Sequence, residues 1–258
     1  MATKNLKYIY GPVPSWRLGS SLGIDPVSYK EKICSFDCIY CQLGKTKVFS
    51  DKRKIFVPVS KIVDELKLLP SIEIDYITFS GSAEPTLAKN LGTMIKATKK
   101  IRNEKVAVLT NSSLLDKKDV QQNLLLADFV IAKLDAVSQE TFEIINSPLK
   151  TIKFNPVLKG IKNFRSIYKG KLALQIMFVE QNKKHASGIA RMAKEINPDE
   201  VQINTPLRPC RLKPLSKEEL RTIKSHFNGL NSISVYETEK KTVKPISSED
   251  TLKRRGKI

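Results

Sequence analysis

Three of the chain's four cysteines, Cys34, Cys38 and Cys41, fall within eight residues in the segment ICSFDCIYCQLG. The C-x3-C-x2-C pattern is a metal-ligand spacing, because thiolates on one short loop can face a single centre from one side. Three chemistries compete for it. A structural zinc ion needs a fourth ligand, and the two histidines, His185 and His226, are remote in sequence. An electron-transfer iron–sulfur cluster wants a fourth thiolate, for which only Cys210 remains. A cluster with one iron left open needs no further protein ligand. Where thiols stay reduced, close cysteines read as ligands rather than as a disulfide framework.

The elements that must position these thiols follow a regular alternation. Apolar, β-branched runs such as IDYITFSGS, KVAVLTNSS, DFVIAKLDA, KLALQIMFVE and EVQINTPL read as strands. Between them lie amphipathic stretches: Val59–Leu69, Leu91–Ile101, Lys117–Leu126, Gln139–Ile145, Pro156–Tyr168 and Ala186–Ile196. A further helix, Lys217–Phe227, precedes a short last strand, SISVYET. With SLGIDPV before the cysteines, this gives about six nearly continuous apolar strands before the last one. That pattern describes a parallel sheet covered by helices and suits a partial α/β barrel. The strands end in polar or small residues (Ser80–Ser82, Thr110–Ser113, Asp135, Glu180, Asn204), which would gather at the C-terminal mouth with the cysteine loop. Residues 1–236 are expected to form the barrel with its N-terminal cysteine loop. Residues 237–258, highly charged and poor in large apolar side chains, are expected to be a peripheral or partly disordered extension.

Composition narrows the function classes. No apolar run approaches the eighteen or so residues a membrane span requires, and the N-terminus lacks the apolar segment of a secretory signal, so no membrane role and a cytoplasmic location are expected. Lys and Arg outnumber Asp and Glu by 45 to 26, a net charge of +19. A surplus of that size points to a polyanionic partner, RNA or DNA, or else to solvated lysines spread over helix faces. Two basic segments, Lys45–Lys54 and RPCRLKP with Arg208, Arg211 and Lys213, are expected to rim the barrel mouth.

With an aromatic residue, Tyr40, directly before the third cysteine, the motif resembles the signature of the radical S-adenosylmethionine (radical SAM) superfamily. The resemblance implies a partial (β/α)6 TIM-like barrel and a [4Fe-4S] cluster on Cys34, Cys38 and Cys41. The open iron would be chelated by the amino and carboxylate groups of S-adenosyl-L-methionine. SGSAEPTL, Ser80–Leu87, is similar to the family's Gly-Gly-Glu segment, with Gly81 admitting close backbone approach and Glu84 receiving the cosubstrate's ammonium group. The usual glycine pair is Ser82-Ala83 here. By the same resemblance Asn111 and Ser112 would contact the methionine or ribose portion, and Asp135 would make a further polar contact. Tyr40 completes the implied cofactor-binding set.

YGPVPSWRLGSSLGIDPV, EPTL and INTPLRP resemble the branch that includes the archaeal wyosine-base (4-demethylwyosine) synthases, which act on guanosine in tRNA. Those enzymes carry a second cysteine set upstream, whereas no cysteine precedes Cys34 here. The wyosine reaction itself is therefore not assigned. What the superfamily implies is an external flavodoxin- or ferredoxin-like electron donor and reductive cleavage of the cosubstrate to a 5′-deoxyadenosyl radical. Three function classes follow: a radical SAM enzyme modifying tRNA or other RNA; one acting on a protein or small metabolite, such as a glycyl-radical activating enzyme; and a non-enzymatic iron–sulfur protein that binds nucleic acid.

Overall fold

The computed structural model describes residues 6–239 and 241–255. The chain begins with a hairpin, β1 (Ile9–Ser15) and β2 (Gly19–Ile24), and two short strands, β3 (Ile33–Cys34) and β4 (Val48–Phe49), bracket the cysteine loop. The alternation then runs α1 (Val59–Lys67), β5 (Tyr76–Phe79), α2 (Leu91–Ile101), β6 (Lys105–Thr110), α3 (Lys118–Leu124) and β7 (Phe129–Lys133). It continues through α4 (Gln139–Asn146), α5 (Phe154–Ile167), β8 (Lys171–Met177), α6 (Ala186–Ile196) and β9 (Glu200–Asn204). The last elements are α7 (Lys217–Ser225), β10 (Ser232–Ser234) and α8 (Ser248–Arg255).

The main sheet has the order β1-β2-β5-β6-β7-β8-β9-β10 and curls into a half-barrel. Every neighbouring pair is parallel except β1 with β2. The α/β partial barrel expected from the alternation is thus the observed architecture. Period-two alternation explains how it is held. On β6 and β7, Val106, Val108, Val130 and Ala132 face the helices, whereas Ala107, Phe129 and Ile131 pack on the concave side. Both faces are apolar at the bottom, and the concave face becomes polar toward the strand ends.

Two features depart from the expectation. Strand β1, with Pro12 and Pro14, has no sequence pattern of a strand, and prolines are tolerated there because it is the sheet's edge. The charged tail is also not loose within the described residues; residues 240 and 256–258 lie outside them. Helix α8 returns to β1, where the Gly11 N–H donates to Thr251 Oγ1 at 3.1 Å and the Ile246 N–H donates to Gly11 O at 2.7 Å. Arg255 Nη2 donates to Pro14 O at 3.1 Å. The tail therefore satisfies backbone groups that an open sheet edge would leave to solvent. Its few apolar side chains hid this, because the attachment is made by hydrogen bonds.

Candidate active site

Strand β3 delivers Cys34, and the loop after it docks on the end of α4. The carbonyls at a helix C-terminus lack intrahelical partners. Here Asn146 O accepts from the Asp37 N–H at 3.1 Å and Ile145 O from the Ile39 N–H at 3.0 Å. A tight turn in which the Cys41 N–H donates to Cys38 O at 2.9 Å brings the third thiol round. Phe36 packs edge-on against Phe142 with ring centroids 5.2 Å apart, and the Asp37 carboxylate accepts from the Thr46 N–H at 2.6 Å. Protein contacts alone thus shape the loop.

Each thiol meets at least one N–H donor. Asn111 Nδ2 lies 3.5 Å from Cys34 Sγ, Asn146 Nδ2 3.4 Å from Cys38 Sγ, and Lys32 Nζ 3.1 Å from Cys41 Sγ. Burial pushes the Cys34 thiol up to about 12 and the Cys38 thiol up to about 11. The Phe36 N–H at Cys34 and the Asn146 amide at Cys38 act in the opposite sense, favouring thiolates. Among the described residues no three His, Cys, Asp or Glu side chains are gathered closely enough for one metal ion. No histidine lines the cavity that the three thiols share, so neither His185 nor His226 serves as a fourth zinc ligand there. Cys210 is not a fourth partner in this arrangement. Its Sγ donates to Leu212 O at 3.3 Å, accepts from the Leu212 N–H at 3.4 Å, and does not line the thiol cavity.

That cavity, about 250 Å³, opens at the C-terminal strand ends and is lined by the three cysteines together with Tyr40, Gly81, Glu84 and Asn111. Gly81 has φ +126°, and a Cβ there would come within 2.5 Å of Asp25 Cγ. Only glycine fits, for reasons of both backbone and space. The approach to Asp25 is held by two bonds to its Oδ2, from the Ser82 N–H at 3.0 Å and Ser82 Oγ at 2.7 Å. Ser82 thus anchors the loop.

Glu84 is buried, and its carboxylate accepts from Thr110 Oγ1 at 2.7 Å, the Asn111 N–H at 2.7 Å, Thr86 Oγ1 at 2.7 Å and the Thr86 N–H at 3.0 Å. Burial raises its pKa and these donors lower it, with a net upward shift. The carboxylate ties the loop after β5 to the end of β6, and its Oε2, with one internal partner, retains acceptor capacity on the cavity side.

Ser112 and Asp135 stand behind the cavity wall rather than in its lining. Ser112, at φ +69°, donates from Oγ to Lys133 O at 3.0 Å. Asp135 accepts from Tyr40 Oη, from Asn146 Nδ2 at 2.9 Å and from the Met177 N–H at 2.8 Å. The end of β7 is thereby joined to the cysteine loop, α4 and β8. Burial drives the Tyr40 phenol well above its ordinary range, so it serves as a donor. Glu180, expected at a strand end, lies past β8 on the surface and pairs with Lys183, because that strand stops at Met177.

Several cavity residues escaped sequence reasoning: Arg17, Lys32, Lys133 and Gln175. No motif marks them, and Gln175 is a polar interruption inside an apolar strand, the one available signal. The basic segment Lys45–Lys54 is not a uniform rim. Arg53 donates from Nε to Thr86 O at 2.8 Å and from Nη2 to Ala88 O at 3.1 Å, and it pairs with Asp119. The Lys54 ammonium lies 4.8 Å from the Phe56 ring centroid. Arg53 is thus structural, whereas Lys45, Lys47, Lys52 and Lys54 are exposed. Among the described residues, no helix is long and apolar enough to cross a membrane.

Comparison with known proteins agrees with this geometry. The Radical SAM superfamily model matches residues 32–193. A UPF0026 protein of Synechocystis is 42% identical over 211 residues, which cover 81% of this chain and 78% of that one. A Brachyspira hyodysenteriae protein named GTPase Obg is 39% identical over 259 residues, covering 95% of this chain but only 38% of that protein. Streptococcus suis SuiB bound to S-adenosylmethionine has a TM-score of 0.63 at 14% identity, over 80% of this chain and 49% of SuiB. Archaeal TYW1 has a TM-score of 0.56 at 13% identity, over 82% and 72%. At such identities the two structures speak for the fold alone. The chain belongs to the Radical SAM superfamily, enzymes that work with a [4Fe-4S] cluster and S-adenosyl-L-methionine, and within it groups with the UPF0026 proteins.

Proposed function

We propose that this radical SAM enzyme modifies an anionic substrate, tRNA or another RNA, at the mouth of its half-barrel. In this reading Cys34, Cys38 and Cys41 hold the cluster, and Gly81, Glu84 and Asn111 receive the cosubstrate beside it. The cluster, when bound, supplies the electron that splits S-adenosyl-L-methionine and so starts hydrogen abstraction from the substrate. The chain's own residues position and shield. Glu84 Oε2 accepts from the cosubstrate's ammonium group, a charge-assisted bond. Tyr40, Ser112 and Asp135 keep the wall rigid, and Leu109, Ile131 and Met177 give the cavity an apolar side that excludes water.

The observation that carries the substrate class is the charge of the cavity. Arg17, Lys32, Lys133 and Arg208 line it, and Glu84, saturated on one oxygen by internal donors, is the one carboxylate among the lining residues. Lys45, Lys47, Lys52, Arg211 and Lys213 are exposed and, in this reading, extend the positive surface beyond the cavity. Such groups contact phosphates more readily than they read bases.

The test is anaerobic incubation of the reconstituted, reduced enzyme with S-adenosyl-L-methionine and total cellular RNA, followed by nucleoside mass spectrometry. A new modified nucleoside that needs all three cysteines is expected. RNA binding should fall steeply with salt, and joint reversal of Lys45, Lys47 and Lys52 to Glu should flatten that slope. Unaltered nucleosides together with a slope unchanged by the reversal would remove RNA as the substrate.

A further inference from the structure

A second cavity, of about 380 Å³, adjoins the thiol cavity and shares eight lining residues with it, among them Arg17, Gln42, Asn204 and Arg208. Four arginines line this second cavity, Arg17, Arg208, Arg254 and Arg255, and no Asp or Glu does. They come from three distant parts of the chain: the β1–β2 turn, the segment after β9, and α8. The tail helix thus completes a site whose other half is barrel.

The hydrogen-bond inventory is incomplete there. Arg208 Nη1 donates to Arg255 O, and Arg255 Nη2 to Pro14 O at 3.1 Å. Arg17 Nε, Arg254 Nε and Arg255 Nη1 are buried with no partner among the described residues. Arg254 belongs to a different arrangement, since it faces Asp250 at 3.7 Å on its own helix. Guanidinium N–H groups buried without an acceptor are costly, and like charges beside one another add repulsion. Burial, together with the charge of Arg208 and Arg255 on Arg17 and of Arg255 on Arg208, holds Arg17 and Arg208 down to about 10. An anion with several oxygens would relieve both costs, and a guanidinium fork matches two oxygens of a phosphoryl group.

We propose that Arg17, Arg208 and Arg255 form a seat for a phosphoryl group of the substrate, and that this seat aims the neighbouring part of the substrate into the thiol cavity. The proposal rests on the reading that the substrate is anionic and specifies which part of it is gripped. A phosphoryl group suits the seat better than a carboxylate, because its tetrahedral oxygens can accept from several guanidinium forks that approach from different directions. The group can come from an RNA backbone or from a free nucleotide.

The full chain without cluster or cosubstrate is sufficient for the test, so the outcome is independent of radical chemistry and of any RNA product. Pyrophosphate, and separately a dinucleoside monophosphate, are titrated at constant ionic strength by calorimetry and by the shift in thermal unfolding midpoint. Saturable binding that raises the wild-type midpoint is expected. Arg17→Gln and Arg255→Gln should each weaken it by about tenfold or more, the scale of one lost charged hydrogen bond. Lys100→Gln, an exposed change on the last turn of α2, should bind as wild type does. Without ligand, Arg17→Gln should unfold no earlier than wild type, because it removes a repelling charge, whereas a purely structural arginine would lower the midpoint. Preference for the dinucleoside monophosphate assigns the seat to an RNA backbone, and preference for pyrophosphate to a free nucleotide. Equal binding by wild type and Arg17→Gln, or an equal loss in Lys100→Gln, would overturn the seat in favour of diffuse attraction.

Discussion

Asp135→Ala separates a wall residue from a cosubstrate contact. Asp135 is 3% exposed and accepts from Tyr40 Oη, from Asn146 Nδ2 at 2.9 Å and from the Met177 N–H at 2.8 Å. The Lys133 ammonium lies 3.6 Å from it. Truncation leaves the Tyr40 hydroxyl and the Met177 N–H without an acceptor, while Asn146 keeps Cys38 Sγ. Each stranded buried donor costs about 1–3 kcal/mol, and Lys133 loses its counter-charge as well. A total of about 3–6 kcal/mol follows, well above the roughly 1 kcal/mol typical of a point substitution. Asp135→Asn keeps the shape and one acceptor for Met177, so about 1–3 kcal/mol is expected. Denaturant unfolding of the cluster-free protein measures both. Iron content after reconstitution should also fall, because Tyr40 and Asn146 then hold the Cys38 side of the loop less firmly. If Asp135→Ala instead unfolds within about 1 kcal/mol of wild type and loses only cosubstrate affinity, the wall role is refuted and the residue touches the cosubstrate.

Further expectations can be checked singly. Cys34→Ala, Cys38→Ala and Cys41→Ala should each abolish iron and sulfide loading, whereas Cys210→Ala, whose thiol is engaged with Leu212, should load normally. Glu84→Gln should weaken cosubstrate binding by about tenfold in a titration of the cluster-loaded protein, the scale of one charge-assisted hydrogen bond. Asn146→Leu removes one N–H donor from a cluster sulfur; a loss of about 1 kcal/mol corresponds to a midpoint potential lower by about 40 mV in a one-electron redox titration. Gly81→Ala combines φ +126° with a 2.5 Å approach to Asp25, so its unfolding midpoint should drop clearly in a denaturant titration.

Much of the scaffold could be read from hydrophobic period. Helices Leu91–Ile101 and Ala186–Ile196 occur with the bounds their apolar stripes suggest, and each long parallel strand sits where a β-branched run ends in polar residues. The thiols were legible because their spacing is short and their chemistry narrow. Arg17, Lys32, Lys133 and Asn146 were not, since their roles depend on which distant segments the barrel brings together. Strand β1 was hidden by its prolines, which an edge position tolerates. The docking of α8 rests on Thr251, Ile246 and Arg255 meeting the backbone of β1, and polar contacts of that kind have no periodicity. Asp135 and Ser112, expected as cosubstrate contacts, are bonded to neighbouring loops instead of lining the thiol cavity. Polar residues at strand ends read equally well as ligand contacts or as bonds between loops, and their partners decide which.

Central to the proposed function is reductive cleavage of S-adenosyl-L-methionine at the three thiols and the adjoining cavity. The most direct measurement is 5′-deoxyadenosine release by the anaerobically reconstituted, reduced protein supplied with S-adenosyl-L-methionine, alongside Cys34→Ala and Cys210→Ala. Release by wild type and Cys210→Ala, matched by methionine, and none from Cys34→Ala is the predicted result. A wild-type protein that carries a full, reduced cluster and binds the cosubstrate yet releases no 5′-deoxyadenosine would contradict it.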